Sequence, residues 1–494
     1  MNEVALAPEP SHDTQTTGAA FAFSEQDLAG YCAIWFQEYH SWFPILHEPT
    51  ILETCGQCPG RSDTPVPLVL KAIAAVVVPT QPRPQRVSAA QRQRWLLDLE
   101  DDILSAATHD LSLQSLQALL ILSIRVFGTG RMAQFYNLMA LCKCVSTQLG
   151  LRDLVYYHCA NYGVPSAIPP RMLFIPFTVV EREEKTRAFW AAEALDSIST
   201  LGAAWHLSVP RPEPAATAPC DEETWCFPES VLAAYRFGDA EAPSPFSLFV
   251  SLATSELWHV HRFLQQSYDS KAATDTERRQ ADCDAVYQHL MSWKADFERV
   301  LAVNAPPFVD LFSTGYYTDQ HPNSILIHCT IHSAVVSLYQ RFIVLPDTTS
   351  YGGQSWACAA DRCIASCESM VALIRTVPDA TLESINPYVI FCVFIAARFY
   401  AVHARTTGSS TQDKLYLLIY PLTVAAKRWP LARQLKAVLD TAVTESRGEH
   451  VGDHPLPVEF YDLQYLLWDI HDALRKWAQA KDQSLTHLES ALTA

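Results

Sequence analysis

Apolar residues recur along this chain at helical spacing, and polar or proline-rich breaks separate one apolar stretch from the next. The first stretch opens at Ser24, which is followed by acidic residues, as is typical of a capped helix start. A stripe of mostly aromatic side chains then continues to about Trp42: Leu28, Tyr31, Cys32, Trp35, Phe36 and Tyr39. This spacing predicts an amphipathic helix with a buried aromatic face.

The same alternation continues to about residue 480. Thr50 to Glu53 has the form of a capping box and predicts the start of a second helix. We expect later helices over 88–107, 112–127, 131–149, 246–269, 276–301, 322–343, 356–376, 387–405, 412–427, 429–446 and 458–480. Gly150 follows one of them in a C-cap role. The last range has a one-sided apolar stripe: Leu463, Leu466, Leu467, Ile470, Leu474 and Trp477.

Evidence for β-strands is poor, because few runs alternate apolar and polar residues and no Asn-Gly or Asp-Gly hairpin turn occurs. The sequence therefore predicts one large, all-α, multi-helix domain from about 25 to 480, and it leaves a two-lobed arrangement open. Residues 1–23 have the composition of a disordered tail, and 481–494 form a C-terminal tail in this interpretation.

Composition places the chain among globular proteins, since 49% of its 494 residues are hydrophobic and 18% are charged. The 14 cysteines occur without a secretory signal, which indicates reduced thiols in the cytosol or nucleus. The longest apolar run, Val389 to Ala397, is too short to cross a bilayer. We therefore expect no membrane partner.

The formal net charge of −17 bears on nucleic-acid binding. Duplex DNA is densely anionic and usually requires several phosphate contacts from Lys or Arg, so autonomous DNA binding is not expected. The densest basic stretch comprises Arg83, Arg86, Arg92 and Arg94. Because prolines interrupt it, we interpret it as a solvated loop and helix start.

Five segments together resemble a known family in their order and spacing. They are Tyr31–Pro49, Leu113–Leu151, Arg182–Trp225, His328–Phe342 and Asn386–His403. In this order they resemble the regulatory domain, or middle homology region, of fungal binuclear zinc-cluster transcription factors. The resemblance implies an all-helical regulatory domain over 25–480 and a nuclear transcription regulator, with the cytoplasm left open.

The zinc-cluster DNA reader of that family requires six cysteines in two C-x2-C-x6-C halves. Here Cys55 and Cys58 form the only C-x-x-C pair, and the next cysteine is Cys142. We interpret the pair as surface thiols and predict no metal site. The DNA-contacting residues of the family therefore cannot be assigned in this chain.

The other candidate sites are interpreted as packing or surface residues, not as metal or catalytic sites. His328 and His332 lie one helical turn apart but lack a third ligand, so we expect a core or interface pair. Cys363 and Cys367 are expected to pack as small hydrophobic residues. Residues 221–223, Asp-Glu-Glu, are interpreted as a solvated acidic turn.

No nucleophile elbow or phosphate-binding loop is present in the sequence. We predict no catalytic residue, no metal ligand and no bound cofactor, and no cofactor-binding residue can be assigned. Phe189, Trp190, Leu195 and Ile198 are expected to be core residues. An effector pocket lined by aromatic residues of this central helix is the alternative.

The leading hypothesis is a regulator of a fungal metabolic or secondary-metabolite gene cluster that acts through protein or effector contacts. Its expected partners are a second copy or a DNA-binding relative, in a homo- or heterodimer, and a small-molecule effector. One alternative is a conventional activator whose zinc cluster is encoded upstream of Met1. Further alternatives are an interaction scaffold of the centromere-subunit type and an enzyme on a recruited helical fold, and the lack of a catalytic pattern argues against the last.

Overall fold

The computed structural model describes residues 23–57, 66–82, 88–156, 178–201, 216–226, 243–269, 276–304, 321–343, 353–408, 412–447, 454–466 and 469–492. Most of this backbone is helical, and these ranges contain no β-strand. The structure therefore confirms the all-α prediction.

The α-helices of the described ranges are, in chain order, α1 Glu25–Glu38, α2 Glu48–Gly56, α3 Leu68–Val77, α4 Ala89–His109, α5 Leu113–Gly128, α6 Met132–Gln148, α7 Leu151–Tyr156, α8 Val179–Ser199, α9 Glu222–Cys226, α10 Pro245–Ser251, α11 Leu257–Asp269, α12 Thr276–Asn304, α13 Pro322–Tyr339, α14 Gly353–Ile374, α15 Asp379–Glu383, α16 Pro387–Thr407, α17 Gln412–Ala425, α18 Pro430–Ser446 and α19 His471–Leu492. A π-helical turn, Leu252–Glu256, joins α10 to α11. Short 3-10 turns occupy Val78–Thr80, Gln340–Phe342 and Val458–Tyr461.

Local capping chemistry fixes several helix ends as the sequence predicts. The Ser24 side chain accepts a hydrogen bond from the Asp27 amide at 3.1 Å, and the Asp27 carboxylate accepts one from the Ser24 amide at 3.3 Å. This reciprocal pair satisfies backbone donors that the first turn leaves free. At the carboxy-terminal end of α6, Gly150 has a φ of 70°, which confirms its C-cap role.

The second helix starts earlier than the sequence predicts. It begins at Glu48 with Pro49 in its first turn, where a fixed φ and a missing amide proton are well tolerated. Thr50 therefore lies inside the helix, and its hydroxyl contacts Nδ1 of His47 at 2.7 Å. The predicted capping box from Thr50 to Glu53 is wrong.

The predicted single helix 458–480 is also wrong. After the 3-10 turn Val458–Tyr461, the described residues 462–466 and 469–470 are not helical, and α19 extends from His471 to Leu492. The guanidinium of Arg398, a residue only 2% exposed, donates to the carbonyl oxygens of this segment. Its acceptors are Phe460 at 2.9 Å, Tyr465 at 2.9 Å, Glu459 at 3.3 Å and Asp462 at 2.8 Å. Carbonyls gathered around one cation cannot all point along a helix axis.

Two apolar helices organise the core. Every residue of α5 from Ser115 to Gly128 is buried, and α3, α4 and α6 pack around it. Every residue of α16 from Pro387 to Val402 is buried against α13, α14, α17 and α18. Contacts of α5 with both α16 and α18 join these two sets of helices. The central helix α8 packs against α5 and α6.

Helix α16 is long and apolar enough to cross a membrane by length and composition alone. The structure buries 89% of its most apolar window. The helix therefore extends beyond the short apolar run Val389 to Ala397, and it is a core helix of this domain.

A close approach at Gly128 brings the α17–α18 connection against α5. A Cβ at this position would overlap the ring of Trp429, which is 4% exposed. The same indole donates from Nε1 to the Ile385 carbonyl at 2.9 Å. Because the ring is both buried and hydrogen bonded, it has little freedom to move aside.

We therefore expect Gly128→Ala to lower the free energy of unfolding by about 1–3 kcal/mol, the usual cost of overpacking a core. Gly30→Ala in α1 is the matched control, because nothing lies within 4 Å of its added Cβ. This control should raise stability by about 0.5–1 kcal/mol through helix propensity. Urea unfolding of the two variants measures both effects, and equal effects would contradict the close packing at Gly128.

Candidate functional site

A fully buried arginine on α8 joins three parts of the chain. The Arg187 side chain is 0% exposed, and its Nε donates to Glu183 at 2.7 Å. Its Nη1 donates to the Pro44 carbonyl at 3.0 Å and pairs with the Glu222 carboxylate. Its Nη2 donates to the Cys220 carbonyl at 2.7 Å. We call these five residues the Arg187 junction.

Each member of the Arg187 junction is positioned by its local structure. Glu183 and Arg187 are four residues apart on α8, so they face the same side. Glu183 also accepts from the Cys220 amide at 2.8 Å, which fixes the chain just before α9. The guanidinium lies over the Trp225 ring, 4.1 Å from its centroid. The junction thus fastens the loop after α1 and the segment 216–226 to one helix.

The charges of the Arg187 junction support one another. Burial alone would raise the pKa of Glu222, but the charge of Arg187 and the hydrogen bond with His40 outweigh it and lower this pKa. Burial alone would lower the pKa of Arg187, but Glu183 and Glu222 raise it above its usual value. Both groups therefore stay ionised at neutral pH, as a buried ion cluster requires.

The prediction that residues 221–223 form a solvated acidic turn is only partly right, because one carboxylate oxygen of this turn is buried. The Glu222 side chain is 40% exposed as a whole, yet its Oε2 atom is buried and lies 3.3 Å from Nε2 of His40. Asp221 accepts from the Thr224 amide at 2.7 Å and so caps α9. The side chain of Glu223 lies outside the described residues.

A second polar cluster ties α6 to α8. The ammonium of Lys143 lies 2.7 Å from the Asp196 carboxylate and 3.4 Å from that of Glu193. Burial by itself would lower the pKa of Lys143, but these two carboxylates raise it. The Lys143 cluster holds the two helices in register.

The π-helical turn between α10 and α11 contacts the same central helix. The Ser197 hydroxyl donates to the Ala253 carbonyl at 2.5 Å, and Nε2 of His261 lies 2.9 Å from the Ser197 carbonyl. Burial lowers the pKa of His261 to about 4, so this imidazole is neutral at physiological pH. A π-helical turn leaves its carbonyls displaced from ideal helical partners, and Ser197 satisfies one of them.

The central helix packs as the sequence predicts. Phe189, Trp190, Leu195 and Ile198 are all buried, which confirms their assignment to the core. Trp190 also donates from Nε1 to the Thr217 carbonyl at 2.7 Å, so it helps to hold the segment 216–226. The alternative of an effector pocket among these residues stays a prediction.

The predicted histidine pair lies within the helical core. His332 is 7% exposed, and the ring of Phe297 lies 5.1 Å from that of His328. Burial lowers the pKa of His328 to about 4 and that of His332 to about 3. The part of the chain that the structure describes contains no group of three or more His, Cys, Asp or Glu residues that could hold a metal ion.

The described cysteines are all free thiols. Cys363 and Cys367 are both 0% exposed and pack as small hydrophobic residues, as expected. Cys55 is 2% exposed, so its interpretation as a surface thiol is wrong; it lies on the inner face of α2. Cys58 lies outside the described residues.

Comparison with known proteins identifies the domain that these contacts organise. Residues 33–202 match the family described as the fungal specific transcription factor domain. This part of the chain is therefore similar to that fungal transcription factor domain. Over 450 residues the chain is 28% identical to the notoamide biosynthesis cluster transcriptional coactivator of Aspergillus versicolor. The aligned region covers 90% of this chain and 72% of that protein. No solved structure matches the chain.

The Arg187 junction crosses the boundary of the matched fungal transcription factor domain. Pro44, Glu183 and Arg187 lie inside residues 33–202, whereas Cys220 and Glu222 lie beyond them. The resemblance groups 182–225 as one segment, and no local pattern in that segment singles out Arg187. The i, i+4 spacing of Glu183 and Arg187 was the available signal, but many solvated helix faces share that spacing.

We expect Arg187→Met to lower the free energy of unfolding by about 3–5 kcal/mol, because it leaves buried carboxylates without their cation. Arg299→Met is the matched control. Arg299 also pairs with a carboxylate, that of Asp296, but its side chain is 72% exposed. The control should change stability by less than about 0.5 kcal/mol. Urea unfolding at neutral pH measures both variants, and a similar small effect for Arg187→Met would contradict a structural role for the Arg187 junction.

Buried neutral histidines predict that the domain loses stability in mild acid. The folded-state pKa of His332 is lowered to about 3, so the unfolded chain takes up a proton first as the pH falls below about 6.5. This one residue should cost about 2 kcal/mol of stability at about pH 5, and nothing well above its unfolded pKa.

The free energy of unfolding is measured at about pH 7 and at about pH 5. Between these two pH values, the decrease should be about 2 kcal/mol smaller for His332→Leu than for the unchanged protein. His109→Leu, at an exposed position, serves as the control for loss of an imidazole that is not buried. Parallel pH profiles for His332→Leu and the unchanged protein would show that His332 is not neutral in the folded state.

Proposed function

We propose that this chain is a coactivator-type transcription regulator of a secondary-metabolite gene cluster, and that it acts through contacts with other proteins. The observation that carries the proposal is its likeness to the notoamide cluster coactivator, which extends over 90% of the chain. Because this likeness runs well beyond residues 33–202, it includes the segment 216–226 and the helices that follow it.

The charge and the cysteines of the chain support indirect promoter recognition. The 494 residues have a net charge of −17 and contain no C-x2-C-x6-C sequence. DNA binding without a metal-organised reader would need a dense set of basic side chains. Many of the described basic residues instead form ion pairs inside the protein, as Arg187 and Lys143 do. A DNA-bound partner would then supply the contact with the promoter.

Three further points belong to the same proposal. The partner is a DNA-binding relative that forms a mixed dimer with this chain, and the site of action is the nucleus. The chain has no catalytic role in this proposal, since its family and its relative are transcription regulators. The buried polar residues of α8 then serve to hold the regulatory fold together.

Deletion of the gene should lower the transcripts of neighbouring biosynthetic genes by about tenfold or more, while transcripts of housekeeping genes stay constant. Reintroduction of the unchanged gene should restore them, and reintroduction of the Arg299→Met variant should do the same because that residue is exposed. RNA sequencing of the three strains measures the effect. Unchanged cluster transcripts in the deletion strain would refute the proposal.

A binding experiment separates a coactivator from an autonomous DNA-binding protein. We expect the purified chain to leave the electrophoretic mobility of a cluster promoter fragment unchanged. A nuclear protein recovered with the tagged chain should shift the fragment by itself, and addition of the chain should retard it further. Sequence-selective binding of the promoter by the purified chain alone would contradict the proposed mechanism.

A further inference from the structure

Helix α17 exposes a group of large apolar side chains to solvent. Tyr416 is 41% exposed, Leu417 is 37% exposed and Tyr420 is 47% exposed. Among the side chains that the structure describes, no other helix exposes more than one large hydrophobic residue. Apolar side chains that cluster on a surface mark a contact with another molecule, whereas single ones need no explanation. We call these three residues the α17 patch.

The two tyrosines of the α17 patch are held in place by hydrogen bonds. The Tyr416 hydroxyl accepts from Nη2 of Arg447 at 2.5 Å. The Tyr420 hydroxyl donates to the Asp379 carboxylate, whose oxygens lie at 2.7 and 2.8 Å. A side chain that is already ordered loses less conformational entropy on binding, and tyrosine is among the residues that contribute most to protein interfaces. The α17 patch is therefore preorganised for contact with a protein.

Opposite charges lie at the two ends of the same helical face. Asp413 precedes Tyr420 by seven residues, and Lys427 follows it by seven. The helical turn continues past the end of α17, since the Lys427 amide donates to the Val424 carbonyl at 3.2 Å. Seven residues make about two turns, so Asp413, Tyr420 and Lys427 share one side. Both charged residues are exposed, so this face is acidic at one end, aromatic at its centre and basic at the other end.

Such a face is complementary to itself. When two copies of α17 pair antiparallel about a two-fold axis at Tyr420, Asp413 of each copy lies opposite Lys427 of the other. The two Tyr420 rings meet at the centre, and Leu417 of each copy lies opposite Thr423 of the other. Because a two-fold axis repeats every contact, one arrangement forms both ion pairs and buries both apolar groups.

The charges beside the α17 patch are largely compensated, although the whole chain has a net charge of −17. Lys414 pairs with Glu368, and the Lys427 ammonium lies 2.9 Å from the Glu383 carboxylate. Both ion pairs are well exposed and contribute little to the fold, so Lys427 can share its charge with a second carboxylate. Two acidic chains meet most readily where each is locally neutral, whereas a nucleic acid would require a basic face.

We propose that the α17 patch joins two copies of this chain in an antiparallel, two-fold symmetric dimer. The occupant of each patch is the α17 face of the second copy. This contact shares no residue with the Arg187 junction. It also does not depend on the proposed mixed dimer with a DNA-binding relative, because it is a contact between two copies of the same chain.

Sedimentation equilibrium of the purified chain tests the dimer. We expect a mass close to twice 55.2 kDa at micromolar concentration. Tyr420→Ala should raise the dissociation constant by roughly 30-fold or more, because each dimer loses two central side chains. Tyr465→Ala is the matched control, since Tyr465 is 43% exposed but lies outside α17. This control should leave the dissociation constant unchanged.

An exchange of charges tests the antiparallel arrangement itself. Asp413→Lys and Lys427→Asp, each alone, should weaken the dimer by roughly tenfold, because like charges then meet at both ends of the interface. Both substitutions in one chain should restore the dissociation constant of the unchanged protein. Because the substituted positions are exposed, every variant should keep the circular dichroism spectrum of the unchanged protein.

A monomer at micromolar concentration would overturn the inference, as would a dimer that Tyr420→Ala leaves intact. Failure of the double variant to restore association would contradict the antiparallel, two-fold arrangement. These measurements use the purified chain alone, so their outcome is independent of the gene-expression and promoter-binding experiments above.

Discussion

The buried ion cluster at Arg187 is the constraint on which the central part of this protein depends. One guanidinium on α8 holds the Pro44 carbonyl, the Cys220 carbonyl and two carboxylates. A buried cation is tolerable only when its partners are complete. The loop after α1 and the segment 216–226 must therefore be in place together for this part of the domain to be stable.

The same principle recurs elsewhere in the interior. Arg125 and Arg131 share Glu100 and so connect α5 and the start of α6 to α4, and Lys143 connects α6 to α8. Arg398 gathers backbone carbonyls of the carboxy-terminal segment. In each case a long cationic side chain fixes a contact that apolar packing alone would leave free to slide. Several basic residues are thereby used within the fold.

This use of its basic residues accords with the proposal that the chain regulates transcription through contacts with other proteins. The net charge of −17 accords with the same proposal, because an anionic chain is repelled by duplex DNA.

The sequence by itself determined the helical class and most helix positions, because apolar periodicity, capping residues and glycine ends are local signals. Ser24 and Gly150 mark helix ends that the structure confirms. Only the tertiary structure decided that 458–466 does not form an α-helix, since the Arg398 guanidinium gathers its carbonyls despite the apolar stripe. It also decided the pairing of Arg187 with Glu222. Those outcomes depend on which side chains meet from distant parts of the chain, and no local pattern records such meetings.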